Sequence, residues 1–105
     1  MNRVFISPVA KNDLQDIRKY ISSELENPVA AEKTLAQIIR RLSELESFSN
    51  IGASLSSITK IETDYRYLVS GNYLIFYRFR EKTVYVDRIL YGKRDYISIL
   101  FDEQV

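Results

Sequence analysis

The sequence predicts an α+β fold in which an N-terminal strand and a helical hairpin pack on a small antiparallel sheet. Two amphipathic helical patterns occupy the first half, and the link between them is short enough to fold one helix back on the other. Three β-favouring runs follow in the second half, joined by links of hairpin length. The predicted order is β-α-α-β-β-β with a short C-terminal element. A chain of 105 residues is expected to form one domain over residues 1–105.

The first half contains a short strand and two helices. The β-favouring run from Arg3 to Ile6 predicts the strand. Ser7-Pro8 and Asn27-Pro28 each combine a capping side chain with a proline suited to the first helical position. Apolar residues then recur at helical spacing, at Ala10, Leu14, Ile17, Ile21 and Leu25 and at Ala31, Leu35, Ile38, Leu42 and Leu45. These patterns predict helices of about 16 and 18 residues that pack as an antiparallel hairpin.

The second half contains a loop, three strands and a final short element. Residues 47–57 are rich in Ser, Asn and Gly, so we expect a loop there with Ile51 and Leu55 turned inward. Strands are predicted over residues 65–69, 73–79 and 84–91, with short turns between them. Residues 95–101 form the final element, for which a helix is favoured over a strand.

The middle strand is apolar on both faces. Its alternating residues divide into Tyr73, Ile75, Tyr77 and Phe79 on one side and Leu74, Phe76, Arg78 and Arg80 on the other. One side can pack on the helical hairpin, which leaves Leu74 and Phe76 in need of cover. The C-terminal element can supply that cover through Ile97, Ile99, Leu100 and Phe101. A partner protein lying across the same face is the alternative, and the two are compatible.

The composition excludes several kinds of active site. The chain contains no histidine and no cysteine, which excludes a thiolate metal site, a disulfide framework and a Ser-His-Asp or Cys-His arrangement. A metal site would have to be built from carboxylates alone, so no metal and no cofactor is expected. The N-terminal apolar run is too short for a signal peptide, and no run approaches the length of a membrane helix. A cytoplasmic protein without a membrane partner is therefore expected.

Positive charge is concentrated in the second half. Residues 60–94 contain eight basic and four acidic side chains, although the whole chain has a net charge of only +1. Residues that can converge on the sheet and its rim are Arg66, Arg78, Arg80, Arg88, Lys93 and Arg94, interleaved with Tyr65, Tyr67, Tyr85, Tyr91 and Tyr96. Arginine binds phosphate and tyrosine stacks on bases, so a metal-free ribonuclease could work from this set. A solvated basic face is the commoner arrangement. Asp13 and Asp16 are expected to be surface helix charges.

Three segments resemble the RelE/ParE toxin superfamily of bacterial type II toxin–antitoxin systems. The segment ISPVAKNDLQDIRKYI is similar to the family's opening strand and helix. The segment YRYLVSGNYLIFYRF resembles its Arg…Gly-x-Tyr-x-Ile-x-Tyr-Arg meander, and VDRILYGKRDY resembles its Arg-x-Leu-x-Gly-Arg-Arg-Asp ending. The three segments occur in the family's order and together cover nearly the whole chain.

The resemblance implies a toxin that a cognate antitoxin holds inactive. Such an antitoxin is encoded beside the toxin and wraps it with extended and helical segments. The pair is expected to bind operator DNA through the antitoxin. Within the superfamily, RelE-like members cut mRNA in the ribosomal A site. ParE-like members resemble proteins that inhibit DNA gyrase, and they have no established catalytic residues.

The sequence resembles the ParE-like branch more closely. RelE-like nucleases tend to have an arginine directly after the tyrosine of the middle strand, where this chain has Leu74. They also have several lysines on the preceding strand, where this chain has only Arg66, and a late tyrosine near the position of Leu100. The long helical hairpin looks like the ParE type. Gyrase inhibition with growth arrest and plasmid stabilisation is therefore predicted, with ribosome-dependent mRNA cleavage and a non-toxic antitoxin-binding module as alternatives.

The resemblance also implies which residues contact other molecules. An enzyme is not favoured, and Arg66 and Arg94 are catalytic candidates only if the protein is a nuclease. Contacts with the antitoxin or the target are expected from Leu74, Phe76, Arg78, Arg88, Lys93, Arg94, Tyr96, Leu100 and Phe101.

Overall fold

The computed structural model describes residues 1–101. In chain order the elements are β1 (Arg3–Ile6), α1 (Pro8–Lys19), α2 (Pro28–Glu44), β2 (Ala53–Ser54), β3 (Arg66–Ser70), β4 (Tyr73–Arg80), β5 (Thr83–Tyr91) and α3 (Tyr96–Phe101). A π-helical turn (Tyr20–Glu24) continues α1, and a 3-10 turn (Leu55–Ser57) follows β2. The predicted α+β class and element order are confirmed, and β2 is additional. Within residues 1–101, no helix is both long enough and apolar enough to span a bilayer.

The five strands form one sheet in the order β1-β5-β4-β3-β2. All neighbours are antiparallel except β1, which runs parallel to β5 with Val4 opposite Val84 and Ile6 opposite Val86. Parallel pairing requires a crossover connection, and the helical hairpin (α1, the π-helical turn and α2) lies in the segment that follows β1. The sheet is therefore mostly antiparallel, with one parallel pair that the sequence pattern did not specify.

The predicted capping residues begin both long helices. Ser7 Oγ and Asn27 Oδ1 each accept a hydrogen bond from the backbone N–H three residues later, at 3.0 and 3.1 Å. Proline follows each cap at the first helical position. The end of the first helix differs from the prediction. Because Tyr20–Glu24 form a π-helical turn, Leu25 is 56% exposed instead of continuing the buried stripe.

Apolar side chains pack on both faces of the sheet. The larger core lies between the helical hairpin and one face, and it includes Ile17, Ile21, Leu35, Ile38, Leu42, Ile75, Tyr77, Val86 and Ile89. The smaller core lies on the opposite face, where Leu55, Phe76 and Leu90 pack beneath Tyr96, Ile99, Leu100 and Phe101. The predicted division of the β4 side chains between two faces is confirmed. The C-terminal helix α3 supplies the expected cover through Ile99, Leu100 and Phe101, but Tyr96 packs there in place of the predicted Ile97.

A β-bulge divides β5 into two halves with opposite side-chain alternation. Phe76 lies opposite Arg88 and Tyr77 opposite Val86, so Asp87 is the extra residue. Val86 and Ile89 consequently contribute to the same larger core although they are three positions apart. Strict alternation would instead have turned Arg88 toward that core.

The loop before β3 is held by a buried tyrosine. The Tyr77 hydroxyl donates a hydrogen bond to Ser49 O at 2.8 Å and accepts one from Gly52 N at 2.9 Å. A Cβ atom on Gly52 would lie 2.6 Å from a backbone carbonyl oxygen of β3, so glycine is required there. Leu55 is buried as predicted. The prediction that Ile51 turns inward is wrong, because its side chain is 38% exposed. The Tyr77 hydroxyl fills the inner side of this loop by bonding to the backbone on either side of Ile51.

Candidate partner-binding surface

A buried carboxylate joins α1 to β5. Asp13 accepts hydrogen bonds from Nε and Nη2 of Arg88 at 2.8 and 2.9 Å and from Ile89 N at 2.9 Å. The hydrogen bond to Asp13 raises the pKa of the Arg88 guanidinium. The prediction that Asp13 is a surface charge is wrong, because it is 7% exposed and its carboxylate is paired with Arg88. Asp16 is exposed, as expected.

Arg78 and Tyr65 share one carboxylate on the face that α3 covers. Asp87 Oδ2 lies 2.9 Å from Arg78 Nη2 and accepts a hydrogen bond from the Tyr65 hydroxyl at 2.6 Å. The guanidinium carbon of Arg78 lies 4.8 Å from the centroid of the Tyr65 ring. Burial, followed by the hydrogen bond to Asp87, raises the pKa of Tyr65 to about 12. This phenol therefore stays protonated at neutral pH and is a poor general base.

Arg66 and Arg80 also have partners within the chain. Nε of Arg66 donates to Gly52 O at 3.1 Å and its Nη2 donates to Asn50 O at 3.2 Å. Nη2 of Arg80 lies 2.9 Å from Asp64 Oδ2, and the hydrogen bond between them lowers the pKa of that carboxyl. The predicted basic residues therefore do not converge as one free group.

The last two predicted basic residues differ from the others. Lys93 and Arg94 are exposed in the turn after β5, and neither forms an ion pair with any of residues 1–101. Among the predicted basic site residues, therefore, only Lys93 and Arg94 in this turn are exposed without an ion-pair partner in residues 1–101.

No group of three or more potential metal ligands comes together in the part of the chain that the structure describes.

The predicted apolar contact residues lie together in the smaller core. Phe76 is fully buried, with its ring centroid 5.2 Å from that of Tyr96. Phe101 packs edge-on against Tyr65 at 5.7 Å, and Leu74 and Leu100 are partly buried in the same cluster. A partner could reach Phe76 only if α3 moved. The accessible part of this surface therefore consists of α3 and its rim.

A groove of about 640 Å³ lies between the helical hairpin and the adjoining ends of β4 and β5. Its apolar lining includes Ile17, Tyr20, Ile21, Leu25, Tyr73 and Tyr91, and its polar lining includes Asp16, Asn72 and Arg94. Arg94 is the predicted site residue that lines it. The groove therefore lies beside the free positive charge and away from the face that α3 covers.

Three tyrosines contribute to the groove. The rings of Tyr73 and Tyr91 pack edge to face, with centroids 5.9 Å apart. Burial, followed by the nearby Tyr20 and Tyr91 hydroxyls, raises the pKa of Tyr73. Tyr20 and Tyr91 are 53% and 40% exposed. The groove thus presents a partly exposed aromatic surface.

Tyr20 and Leu25 were not predicted as site residues. The apolar spacing placed Leu25 on the buried stripe, and Tyr20 lies off that stripe. The π-helical turn changes this arrangement, since Leu25 N donates to Tyr20 O at 3.1 Å and both side chains line the groove. Ser22 and Ser23 within the turn are weaker helix formers than alanine or leucine, which is the local signal available in the sequence.

Comparisons with known proteins identify the family of this chain and a solved structure with a similar fold. The sequence profile described as ParE toxin of type II toxin-antitoxin system, parDE, matches residues 4–96. A solved structure described as the chromosomal ParDE TA system from P. aeruginosa is similar with a TM-score of 0.74 and 22% identity, covering 89% of this chain and 98% of that chain. That likeness supports the fold, and no curated protein matches significantly. Since the profile spans most of the chain, this protein belongs to the ParE toxin family of type II toxin–antitoxin systems.

Proposed function

We propose that this toxin arrests growth by binding DNA gyrase and that a cognate antitoxin neutralises it. The observation that carries the proposal is that Arg66, Arg78, Arg80 and Arg88 are all engaged by partners within the chain. Inhibition by binding requires a complementary surface but no free catalytic cations. Gyrase is the target implied by the resemblance to ParE-like sequences, and membership of the ParE toxin family supports it.

The internal contacts disfavour catalysis of phosphodiester cleavage. Such catalysis needs preorganised cations where negative charge develops in the transition state. Freeing Arg88 would leave Asp13 unpaired at a position only 7% exposed, and removing one partner of a buried ion pair costs about 3–5 kcal/mol. Freeing Arg66 would withdraw hydrogen bonds from two carbonyl groups of the loop before β3. The chain itself therefore competes with a substrate phosphate for these groups.

Ribosome-dependent mRNA cleavage is the second candidate function. The observation in its favour is Arg94, which is exposed and lines the groove together with Tyr91. Arginine can stabilise a phosphate and tyrosine can stack on a base. A non-toxic module that binds the antitoxin is the remaining alternative.

A supercoiling assay tests the proposal. Purified gyrase, relaxed plasmid and ATP are titrated with the full chain freed of antitoxin. We expect loss of supercoiling together with accumulation of cleaved DNA. Arg94→Ala should raise the half-inhibitory concentration by less than about tenfold, because one exposed arginine contributes only part of a binding surface.

The same preparations distinguish the alternatives. Full supercoiling at an excess of toxin, together with mRNA cleavage on ribosomes that Arg94→Ala abolishes, would assign the nuclease function instead. Arg18→Ala is the matched control, since Arg18 forms an exposed ion pair with Glu32 and does not line the groove that Arg94 lines. Absence of both activities would favour the non-toxic module.

The antitoxin is proposed to bind the toxin directly and to make the operator DNA contacts of the pair. The charge of the toxin supports this division, because the net charge is +1 and most arginines near the sheet are paired. A weak positive field gives little affinity for DNA. Gyrase and antitoxin are both cytoplasmic partners, which agrees with the predicted location.

A further inference from the structure

We infer that the part of the sheet that α3 leaves uncovered binds single-stranded DNA, with Phe5 and Tyr85 stacking on bases and Arg3 contacting a phosphate. This open sheet face consists of Arg3, Phe5, Arg78, Arg80, Thr83 and Tyr85. The inference rests on the proposed function, because a toxin that binds gyrase is brought to an enzyme that acts on DNA. It adds to that function a direct contact between the toxin and nucleic acid.

Two aromatic rings lie side by side on the open sheet face. Phe5 of β1 pairs with Tyr85 of β5, and their ring centroids are 6.1 Å apart in an edge-to-face arrangement. Both residues alternate along their strands with side chains that pack in or against the larger core, which are Val4, Ile6, Val84 and Val86. The two rings therefore project from the opposite side of the sheet, where they are 52% and 39% exposed.

An arginine and a third ring extend this row across the sheet. Arg78 of β4 pairs with Tyr85, and its guanidinium carbon lies 4.8 Å from the centroid of the Tyr65 ring. Tyr65 also packs against Phe101 of α3, so its ring is covered by neighbours within the chain. The exposed rings of the row are therefore those of Phe5 and Tyr85.

Exposed rings on a sheet suit the bases of a single strand. Such bases are open on their flat sides and stack on aromatic side chains, whereas the bases of a duplex are stacked on one another and present only their edges. Because the net charge of the chain is only +1, attraction to phosphates alone gives little affinity for either form. Stacking on Phe5 and Tyr85 therefore favours the single strand over the duplex.

Arg3 supplies a positive charge beside the two rings. It lies two positions before Phe5 on β1 and hence on the same side of the sheet. Its side chain is exposed and forms no ion pair with any of residues 1–101. A phosphate of a strand whose bases stack on Phe5 and Tyr85 can therefore bind this guanidinium.

The carboxylates near the open sheet face are already paired. Asp87 binds Arg78 and Asp64 binds Arg80, so each acidic group is neutralised by an arginine of the same face. Arg80 and Arg3 both lie opposite Thr83, on its two sides. The charge that remains on the face is that of Arg3, which complements a phosphate.

The test measures binding of a fluorescent thymidine oligomer of about 12 nucleotides to the full chain freed of antitoxin. We expect fluorescence anisotropy to show binding at least about tenfold tighter than that of a duplex of the same length. Phe5→Leu and Tyr85→Leu should each raise the dissociation constant about fivefold or more, because leucine retains apolar bulk but not a stacking ring. Arg3→Ala should lower the slope of log Kd against log salt concentration by about 0.7.

Matched variants control for folding and for general loss of apolar surface. Phe5→Tyr keeps a ring and should leave the dissociation constant within about twofold of wild type. Tyr20→Leu removes a ring that is 53% exposed in the groove beside the helical hairpin, and it should have no larger effect. Circular dichroism and thermal unfolding of each variant identify any that misfold.

Four results would overturn the inference. They are no binding of the oligomer by the wild-type chain, equally tight binding of the duplex, equally tight binding of an abasic oligomer, and an effect of Tyr20→Leu as large as that of Phe5→Leu. Tighter binding of the matching uridine oligomer would assign the face to RNA and would also contradict the inference.

The proposed target is tested separately from the open sheet face. The oligomer titration contains no gyrase, so it decides the inference even if the wild-type chain leaves supercoiling unchanged and the gyrase proposal fails. Inhibition of supercoiling without binding of the oligomer would retain the proposed function and overturn the inference. If Phe5→Leu weakens binding to gyrase in the absence of DNA but leaves oligomer binding unchanged, the face binds protein and the inference is wrong.

Discussion

The side chain of Asp13 accepts hydrogen bonds from Arg88 and from the backbone N–H of Ile89, which lie 75 and 76 positions later in the sequence. Three N–H groups satisfy its two carboxylate oxygens. Because Asp13 is 7% exposed, water cannot readily replace a lost donor. The contact fixes the helical hairpin to the bulge of β5, and it keeps the Arg88 guanidinium away from any external phosphate.

Asp13→Asn should lower the free energy of unfolding by about 2–4 kcal/mol, because it leaves the partly buried Arg88 without a counter-ion. Urea denaturation followed by circular dichroism measures the change. Glu32→Gln is the control, since it removes an exposed ion pair with Arg18 and should lower stability by no more than about 1 kcal/mol. Equal effects of the two substitutions would contradict the structural role of Asp13.

The Tyr65 side chain is expected to make the free energy of unfolding decrease at high pH. Burial and the Asp87 carboxylate raise the pKa of Tyr65 to about 12, whereas an unfolded tyrosine has a pKa of about 10. The folded chain therefore holds this proton more tightly. Its contribution is fully present below about pH 10 and is lost as the pH rises through about 12.

Tyr65→Phe removes this ionisation. The difference in unfolding free energy between wild type and Tyr65→Phe should fall as the pH rises from about 10 to about 12. Urea denaturation at successive pH values measures it, and Tyr85→Phe, at a 39% exposed position, is the control. A difference that does not vary with pH would show that Asp87 and burial do not hold the Tyr65 proton.

Among the elements, α3 depends on tertiary contacts for its existence. It has six residues, none of them fully buried, and isolated helices of that length are not stable in water. Its N-terminus is supported by Asp95, whose carboxylate accepts hydrogen bonds from Ser98 N at 3.3 Å and Ser98 Oγ at 2.9 Å. The ring of Tyr96 against Phe76 provides the main aromatic contact.

Tyr96→Ala should lower the free energy of unfolding by about 1–3 kcal/mol, because it removes the aromatic contact and leaves space above Phe76. Amide hydrogen exchange within α3 should become faster, and a dye that binds exposed apolar surface should bind more strongly. Ile97→Ala is the control, since Ile97 is half-buried but lies outside the smaller core. Unchanged exchange in Tyr96→Ala would mean that α3 is held by other contacts.

At the scale of the whole molecule, folding brings together opposite charges from distant segments. Residues 60–94 contain eight basic and four acidic side chains, which suggested a positive region. In the fold, Arg88 pairs with Asp13 from the first half, and Arg78 and Arg80 pair with acidic residues of the second. The remaining field is weak, so we expect target recognition to depend on shape and apolar contact. The gyrase titration tests this expectation.

Local patterns in the sequence determined the elements and their order. The caps at Ser7 and Asn27, the helical apolar spacing and the three β-favouring runs predicted each helix and strand except the two-residue β2. The alternation in β4 also predicted which side chains face each core. These features depend on neighbours within a few positions and on fixed periods of 2 and about 3.6 residues, so one sequence is sufficient to reveal them.

The tertiary structure decided which charged groups are free and where a partner can bind. Arg88, next to the bulge at Asp87, pairs with Asp13, and Tyr20 of the π-helical turn and Leu25 after it line the groove. Neither irregularity has a periodic signature. The sequence by itself determined the fold class, the family and the absence of histidine and cysteine chemistry. The availability of each arginine and the shape of the groove depend on contacts between residues far apart in the chain, which local patterns do not contain.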